Sequence, residues 1–430
     1  MTVTATATDR RLPLDRDLVE RLSRQRQEPH WLLESRLAAL RRYAATPWPT
    51  GQEEEWRRFP LKDLPGVSSF EPDPAAQGAV QLVDEVPARD RERGVLALRF
   101  RESVARSADL VRAHLDDPAG VASHRVLRDL ARAVFARGST FVHVPRGVAV
   151  SRPLVVSKRW PAGERPIVFR TLVVAEARSS VTVVEELSSE DGPARLAVPL
   201  LEVHAGEGAE VRYVRVQRFG EGVWDIGSQL YASASYSRLE SYNVLAGSSR
   251  TKLGVLSDIR GNGAEVKLYG LVAAADEQRI DINSLQRLDG RASQSDLLYL
   301  SALYESAKAT YYGVVRVEST SSGTGSYQEC RNLLLSDRAG ANPIPVLEIL
   351  TNDVARCGHG ATAGKMDEEE VFYVLSRGID RATAEQLLVR GSFARVLDNI
   401  PDAAVRGRVL EALRPLIGRV AEIELQEVAA

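Results

Sequence analysis

The chain has 430 residues, with 56 basic and 58 acidic side chains, a formal net charge of -2 and 44% hydrophobic residues. That balance excludes a whole-molecule basic field for nucleic acid, and the ordinary apolar and charged shares exclude a mostly disordered chain. Two cysteines, Cys330 and Cys357, and two methionines exclude a disulfide-stapled secreted domain, a four-cysteine metal site made by one chain and a Met-rich adaptable surface. At about 150 residues per domain the length suggests about three domains. Met1-Thr2-Val3-Thr4-Ala5 runs into Asp9-Arg10-Arg11 and does not read as a signal peptide, and no apolar run reaches the length of a membrane helix. The expected setting is the cytoplasm, with no membrane and no nucleic-acid partner.

The first third reads as helix. Leu33, Leu37 and Leu40 share one helical face, and Pro47, Pro49 and Gly51 end that helix. Glu53 to Arg58 reads as a solvated helix face with Trp56 turned inward. Pro72 to Gly78 reads as a linker. Val126, Leu127, Leu130 and Val134 mark a further helix among Arg125, Arg128, Asp129 and Arg132. From Gly138 to about Pro345 the pattern changes to short β-branched runs, such as Val142, Val144, Val148 and Val150, or Val211, Tyr213, Val214 and Val216. Glycines interrupt these runs and no helix separates them, which argues against a doubly wound fold. The runs show no strict period, so the pattern fits a sandwich, a barrel or a β-solenoid. Helix returns after residue 365. Asp367 to Glu370 suit a helix N-terminus and Gly378 its end. A second helix holds Ala384, Leu387 and Leu388. A third carries the stripe Val405, Val409, Leu413, Leu416 and Ile417, which reads as packing within the domain rather than a docking face.

The chain has no phosphate loop, and Gly261-Asn262-Gly263 lacks the third glycine of a dinucleotide fingerprint. What remains is the segment from Cys330 to Lys365. Cys357-Gly358-His359-Gly360 sets a thiol and an imidazole two apart, so on a strand both point to one face; both ligand types suit iron or zinc. An isolated pair of this kind is more often a buried cysteine beside a structurally satisfied histidine.

Several strings together resemble one family. These are Pro345-Val346-Leu347-Glu348-Ile349, Asn352-Asp353-Val354, Cys357-Gly358-His359-Gly360-Ala361-Thr362, and Phe372-Tyr373 with Ser376-Arg377-Gly378-Ile379. They are similar to the C-terminal signature of the SufD family, scaffold subunits of the SUF iron–sulfur cluster assembly machine. Arg331 to Ser336, Glu54-Glu55-Trp56-Arg57 and Val144-Pro145-Arg146-Gly147 also fit. The resemblance implies a mixed α and β chain. A central right-handed parallel β-helix over 138–365 would lie between an N-terminal helical domain (1–137) and a C-terminal helical domain (366–430). It implies pairing with the paralogue SufB through the β-helices, and binding of the ATPase SufC by the C-terminal domain. A transient cluster, iron or sulfur site would form at the subunit interface, and the chain would be a non-catalytic scaffold. His359 matches the interface histidine of that family and Cys357 the cysteine beside it.

Cys330 falls where the SufB branch keeps a cysteine, three residues before Leu333-Leu334. Gly358 and Gly360 stand where that branch has glutamates, which favours SufD. Lys308 to Gly313 leans toward SufB, and Asn283, Gln286 and Arg287 occupy a region where SufD histidines are expected. The expected site is therefore Cys330, Cys357 and His359, shared with a partner, with Cys330 and His359 on neighbouring rungs of the face that meets SufB. No stable cofactor is expected in the isolated chain, and nothing in the sequence speaks for or against a flavin. The alternatives are a SufB-like subunit that nucleates the cluster itself, as a homodimer, and a metal-dependent enzyme using the same three ligands.

Overall fold

The computed structural model describes residues 11–70, 80–82, 86–115, 124–136 and 138–417. The Pro72 to Gly78 stretch and the N-terminal Met1 to Ala5 lie outside the described residues. Between 140 and 365, each β-branched run forms one strand, and each turn brings the chain back to lay the next run parallel to an earlier one. Successive strands alternate between two nine-stranded sheets. One sheet runs from Leu154–Trp160 to Val354–Lys365, the other from Thr140–Val144 to Gly340–Ile349. In each sheet the outermost strand at the N-terminal end, Val80–Leu82 or Leu96–Arg99, is antiparallel, and the other eight are parallel. The architecture is a parallel β-solenoid of about eight turns, with helices at both ends of the chain.

The strict period that the sequence lacks is replaced by a drifting one. Trp224 stacks on Arg250, 26 residues away, whereas Lys308 stacks on Gly340, 32 away. What stays fixed is one corner. Arg178, Gly208, Tyr236, Gly263, Ala292 and Gly323 all adopt φ between 52° and 64°. Each donates its backbone N–H to a carbonyl of the next rung, from Arg178 to Glu207 at 2.8 Å through Gly323 to Asp353 at 3.0 Å. Glycine takes this left-handed conformation without cost; Arg178, Tyr236 and Ala292 take it because the rung hydrogen bond holds them there.

Alternation along each strand sorts inside from outside. Val142, Val173, Val203, Tyr213, Leu253, Ile282 and Tyr311 fill the interior. Part of each outer face is also apolar, and the helices cover that part. Helices Arg16–Gln25, His30–Ala45 and Arg125–Val134 pack Leu18, Leu37 and Leu130 against Val168, Leu196, Val198 and Ile226 of one sheet. Helices Arg381–Leu397 and Ala403–Ile417 pack Phe393, Val409 and Leu413 against Val184, Val214, Tyr242 and Leu271 of the other. Burying one such aromatic or aliphatic side chain is worth about 1.5–3 kcal/mol, so these faces anchor the helices. The stripe of the last helix is thus spent inside the chain.

Polar contacts fasten the same seams. Glu202 is buried between Arg170 and Arg132, with 2.6 Å to the latter. Segment 53–58 is a series of turns rather than the expected helix, because its backbone is drawn onto the solenoid: buried Lys252 donates to the carbonyl of Glu55 and lies over the Trp56 ring. Trp56 is buried, as its size predicts.

Candidate functional site

The last two rungs bring the Cys330 to Lys365 segment together. In strand Thr324–Leu334 the even residues Ser326, Gln328, Cys330 and Asn332 are buried, while Tyr327 and Arg331 are exposed. Strand Val354–Lys365 lies on it in parallel, pairing Ser326 with Cys357, Gln328 with His359 and Cys330 with Ala361. Cys357 and His359 therefore share the inward face, as their spacing predicts. Cys330 sits on the neighbouring rung, two positions further along than Gln328. Val354–Lys365 ends its sheet, so among the described residues no strand pairs with its outer edge. That edge position explains why Cys357 is only partly buried and His359 is exposed.

Burial pushes the Cys330 thiol up to about 12, against a partial lowering by Asn332, whose Nδ2 donates to Sγ at 3.5 Å. The thiol is packed with Tyr299, its register partner one rung back, and Tyr311 in the interior cluster. Burial also raises the Cys357 thiol. Both cysteines are free. Among the described residues no group of three or more His, Cys, Asp or Glu side chains is arranged to hold a metal ion. The structure thus brings Cys357 and His359 to one face, puts Cys330 one rung below, and does not gather the three into a ligand set within one chain. Sequence reasoning missed the surroundings of Cys330. Asn332 was legible as the next residue on the same strand face; Tyr299, 31 residues earlier, was not.

On the outward face an aromatic ring packs over the two glycines. Tyr327 lies across Gly358 and Gly360, and a Cβ at Gly360 would stand 3.1 Å from the Tyr327 hydroxyl. Arg356, over the same ring at 5.7 Å, reaches Asp296 at 2.8 Å. Glu329 on this face binds Arg395 at 3.0 Å and so ties helix Arg381–Leu397 to the penultimate strand. The other sheet ends differently. Its last strand, Gly340–Ile349, contains Pro343 and Pro345, which lack the N–H groups that a further strand would need. Beyond the last rung, helix Glu368–Leu375 is capped by Asp367, whose side chain accepts from Glu369 N, and it leaves Phe372 70% and Tyr373 60% exposed.

Fold and site define a two-sheet parallel β-solenoid protein that carries a thiol and an imidazole on the terminal strand of one sheet. The family described as SUF system FeS cluster assembly, SufBD core domain, matches residues 160–392. The chain is 25% identical to iron–sulfur cluster assembly protein SufD of Bacillus subtilis, over 94% of this chain and 98% of that protein. It is 24% identical to SufB of the same organism, over 90% of each. An iron–sulfur cluster assembly SufBD family protein of Mycobacterium tuberculosis is 26% identical over 85% of this chain and 88% of its own length. The chain belongs to the SufB/SufD family of the SUF iron–sulfur cluster assembly system. No helix among the described residues is long and apolar enough to cross a membrane.

Proposed function

We propose that the chain is a SufD-type, non-catalytic scaffold subunit of the cytoplasmic SUF machine, in which iron and sulfide are cargo. Its solenoid pairs with a SufB-type partner, and its C-terminal part, residues 366–430, binds the ATPase SufC. The observation that carries this reading is the unpaired outer edge of Val354–Lys365. It bears Cys357 and His359 and lacks the prolines that blunt the adjacent edge. A partner strand added there extends the sheet by backbone hydrogen bonds and brings its own ligands to the seam. Two or three ligands from one chain then become a complete but dissolvable set, which suits a site that must release its cluster. Cys330, buried one rung below, takes part only when nucleotide-driven motion loosens the last rung.

For SufC, the reading favours the exposed side chains Phe372, Tyr373 and Leu387 over the buried stripe of the last helix. Gly358 and Gly360 beside His359 favour SufD over SufB. The test is co-expression with a SufB-type partner and SufC. Adjacent residues of a strand point their N–H groups to opposite sides, so of Thr362→Pro and Ala363→Pro one must remove an outward donor. That variant is expected to lose the partner while retaining SufC. Partner recovery at wild-type yield in both variants refutes the edge-pairing reading. In the intact complex, unchanged cluster assembly by the double variant Cys330→Ala and His359→Ala refutes the site.

A further inference from the structure

The outer face of the sheet that ends in Gly340–Ile349 carries a pattern of charge that a partner seam does not use. The parallel register stacks the first residues of three successive strands, Arg250 on Arg279 and Arg279 on Lys308. Adjacent strands lie about 4.8 Å apart, and like charges directly opposite one another destabilise a sheet. A column of three cations therefore needs negative charge beside it. Glu277 and Asp63 act on Arg250, and the next column on the same face, two residues along, adds no free carboxylate. There, buried Asp281 is committed to buried Lys252 at 2.9 Å, and Thr310 follows on the next rung. Arg250 donates to the carbonyls of Ser249 and Glu277, and Lys308 to that of Arg338 at 2.6 Å. Among the described residues neither Arg279 nor Lys308 forms an ion pair with a carboxylate.

This column borders a cavity of about 370 Å³. Arg279 and Lys308 line its solenoid wall, and Arg58 and Phe59 of the N-terminal segment line it as well. Arg58 is steadied by Glu54 at 2.6 Å. Thr310 and Asn342 add uncharged polar groups to the lining, and Asp281, paired with Lys252, is the one carboxylate in it. Above Lys308 the column ends in Gly340, where a Cβ would come within 2.9 Å of the ammonium nitrogen. The missing side chain keeps that side of the cation clear.

We propose that this cavity binds a small phosphate-bearing molecule. Arg279 and Lys308 hold phosphate oxygens, Arg58 closes on them from the N-terminal segment, and Phe59 meets the apolar remainder. Guanidinium forks beside an ammonium are the groups that recognise phosphate, and the volume lies in the range of small-ligand sites. A concave site walled by one chain favours a small molecule over an acidic stretch of another protein. The site lies on the sheet opposite the one that carries Cys330 and His359, and it does not depend on the proposed partner seam.

Calorimetric titration of the full chain with inorganic pyrophosphate tests this, with citrate and a polyglutamate peptide as comparison anions. The expected result is saturable pyrophosphate binding, weaker binding of the other two, and about tenfold loss in Arg279→Gln or Lys308→Gln, the value of one charge-assisted hydrogen bond. Because the empty column repels itself, Arg279→Gln is also expected to melt higher than wild type without ligand. That second readout separates a binding residue from a structural one. The proposal is overturned if pyrophosphate does not saturate, or if Arg279→Gln binds it as wild type does. It is overturned equally if citrate or the peptide binds more tightly, or if Arg279→Gln melts lower than wild type without ligand.

Discussion

Alkylation of the two thiols reports directly on how firmly the last rung is closed. The thiolate is the reacting species, so the rate follows its population. Burial holds the Cys330 thiol near about 12, against an ordinary 9.0. At pH 8 a thiol of pKa 9 is about one-tenth ionised and one of pKa 12 about one ten-thousandth, a ratio of about a thousand. Steric closure by strand Val354–Lys365 acts in the same direction and slows Cys330 further. Cys357 is raised only by partial burial and lies on the edge strand itself. The full chain is treated with iodoacetamide at pH 8, and the two cysteine peptides are followed by mass spectrometry over time. Cys357 is expected to react first, with Cys330 lagging by two to three orders of magnitude, and the two are expected to become equivalent in denaturant. If Cys330 is labelled within about tenfold of Cys357 in the folded chain, the last rung is not closed as described and the burial argument fails.

Other consequences are open to measurement. Gly290→Ala places a Cβ 2.0 Å from the carbonyl oxygen of Gly261, where backbone meets backbone, and a loss above about 4 kcal/mol is expected in urea unfolding. Burial would raise Glu202, but Arg170 and Arg132 more than reverse that and hold it at about 2. Its folded pKa is thus depressed, so its contribution, about 3 kcal/mol, is present above pH 4.5 and lost as pH falls toward 2. Glu202→Gln leaves buried Arg170 and partly buried Arg132 without their carboxylate and is expected to cost about 3 kcal/mol or more at neutral pH while flattening this acid limb. Phe393→Ala empties the contact between helix Arg381–Leu397 and the solenoid, with an expected loss of about 3–5 kcal/mol and faster proteolysis of the C-terminal helices.

Much of this architecture was legible in the sequence, for reasons that can be named. Val211, Tyr213, Val214 and Val216 announced a strand, and Asp367 with its following acids announced a helix start, because these signals are local. The solenoid could not be read from period, because its rung length drifts between Trp224–Arg250 and Lys308–Gly340. It came from the resemblance instead. Segment 53–58 has a helical pattern yet forms turns, because its conformation is set by Lys252, about two hundred residues away. The shared face of Cys357 and His359 followed from strand alternation alone. Their relation to Cys330 depended on register, and so did the two tyrosines that pack around it.

The left-handed corner has an evolutionary consequence. Each of its residues lies two positions before one member of a single stacked column: Arg178 before Ser180, Gly208 before Glu210, Tyr236 before Arg238, Gly263 before Glu265, Ala292 before Gln294 and Gly323 before Gly325. The corner therefore resets parity at every rung. An insertion or deletion upstream of it lengthens or shortens a loop but does not exchange core side chains for surface ones on the strand that follows. A family built on this device can change its rung lengths freely while conserving which residues face inward. Its members can then diverge in surface and partner while the wall that positions the terminal strand remains the same.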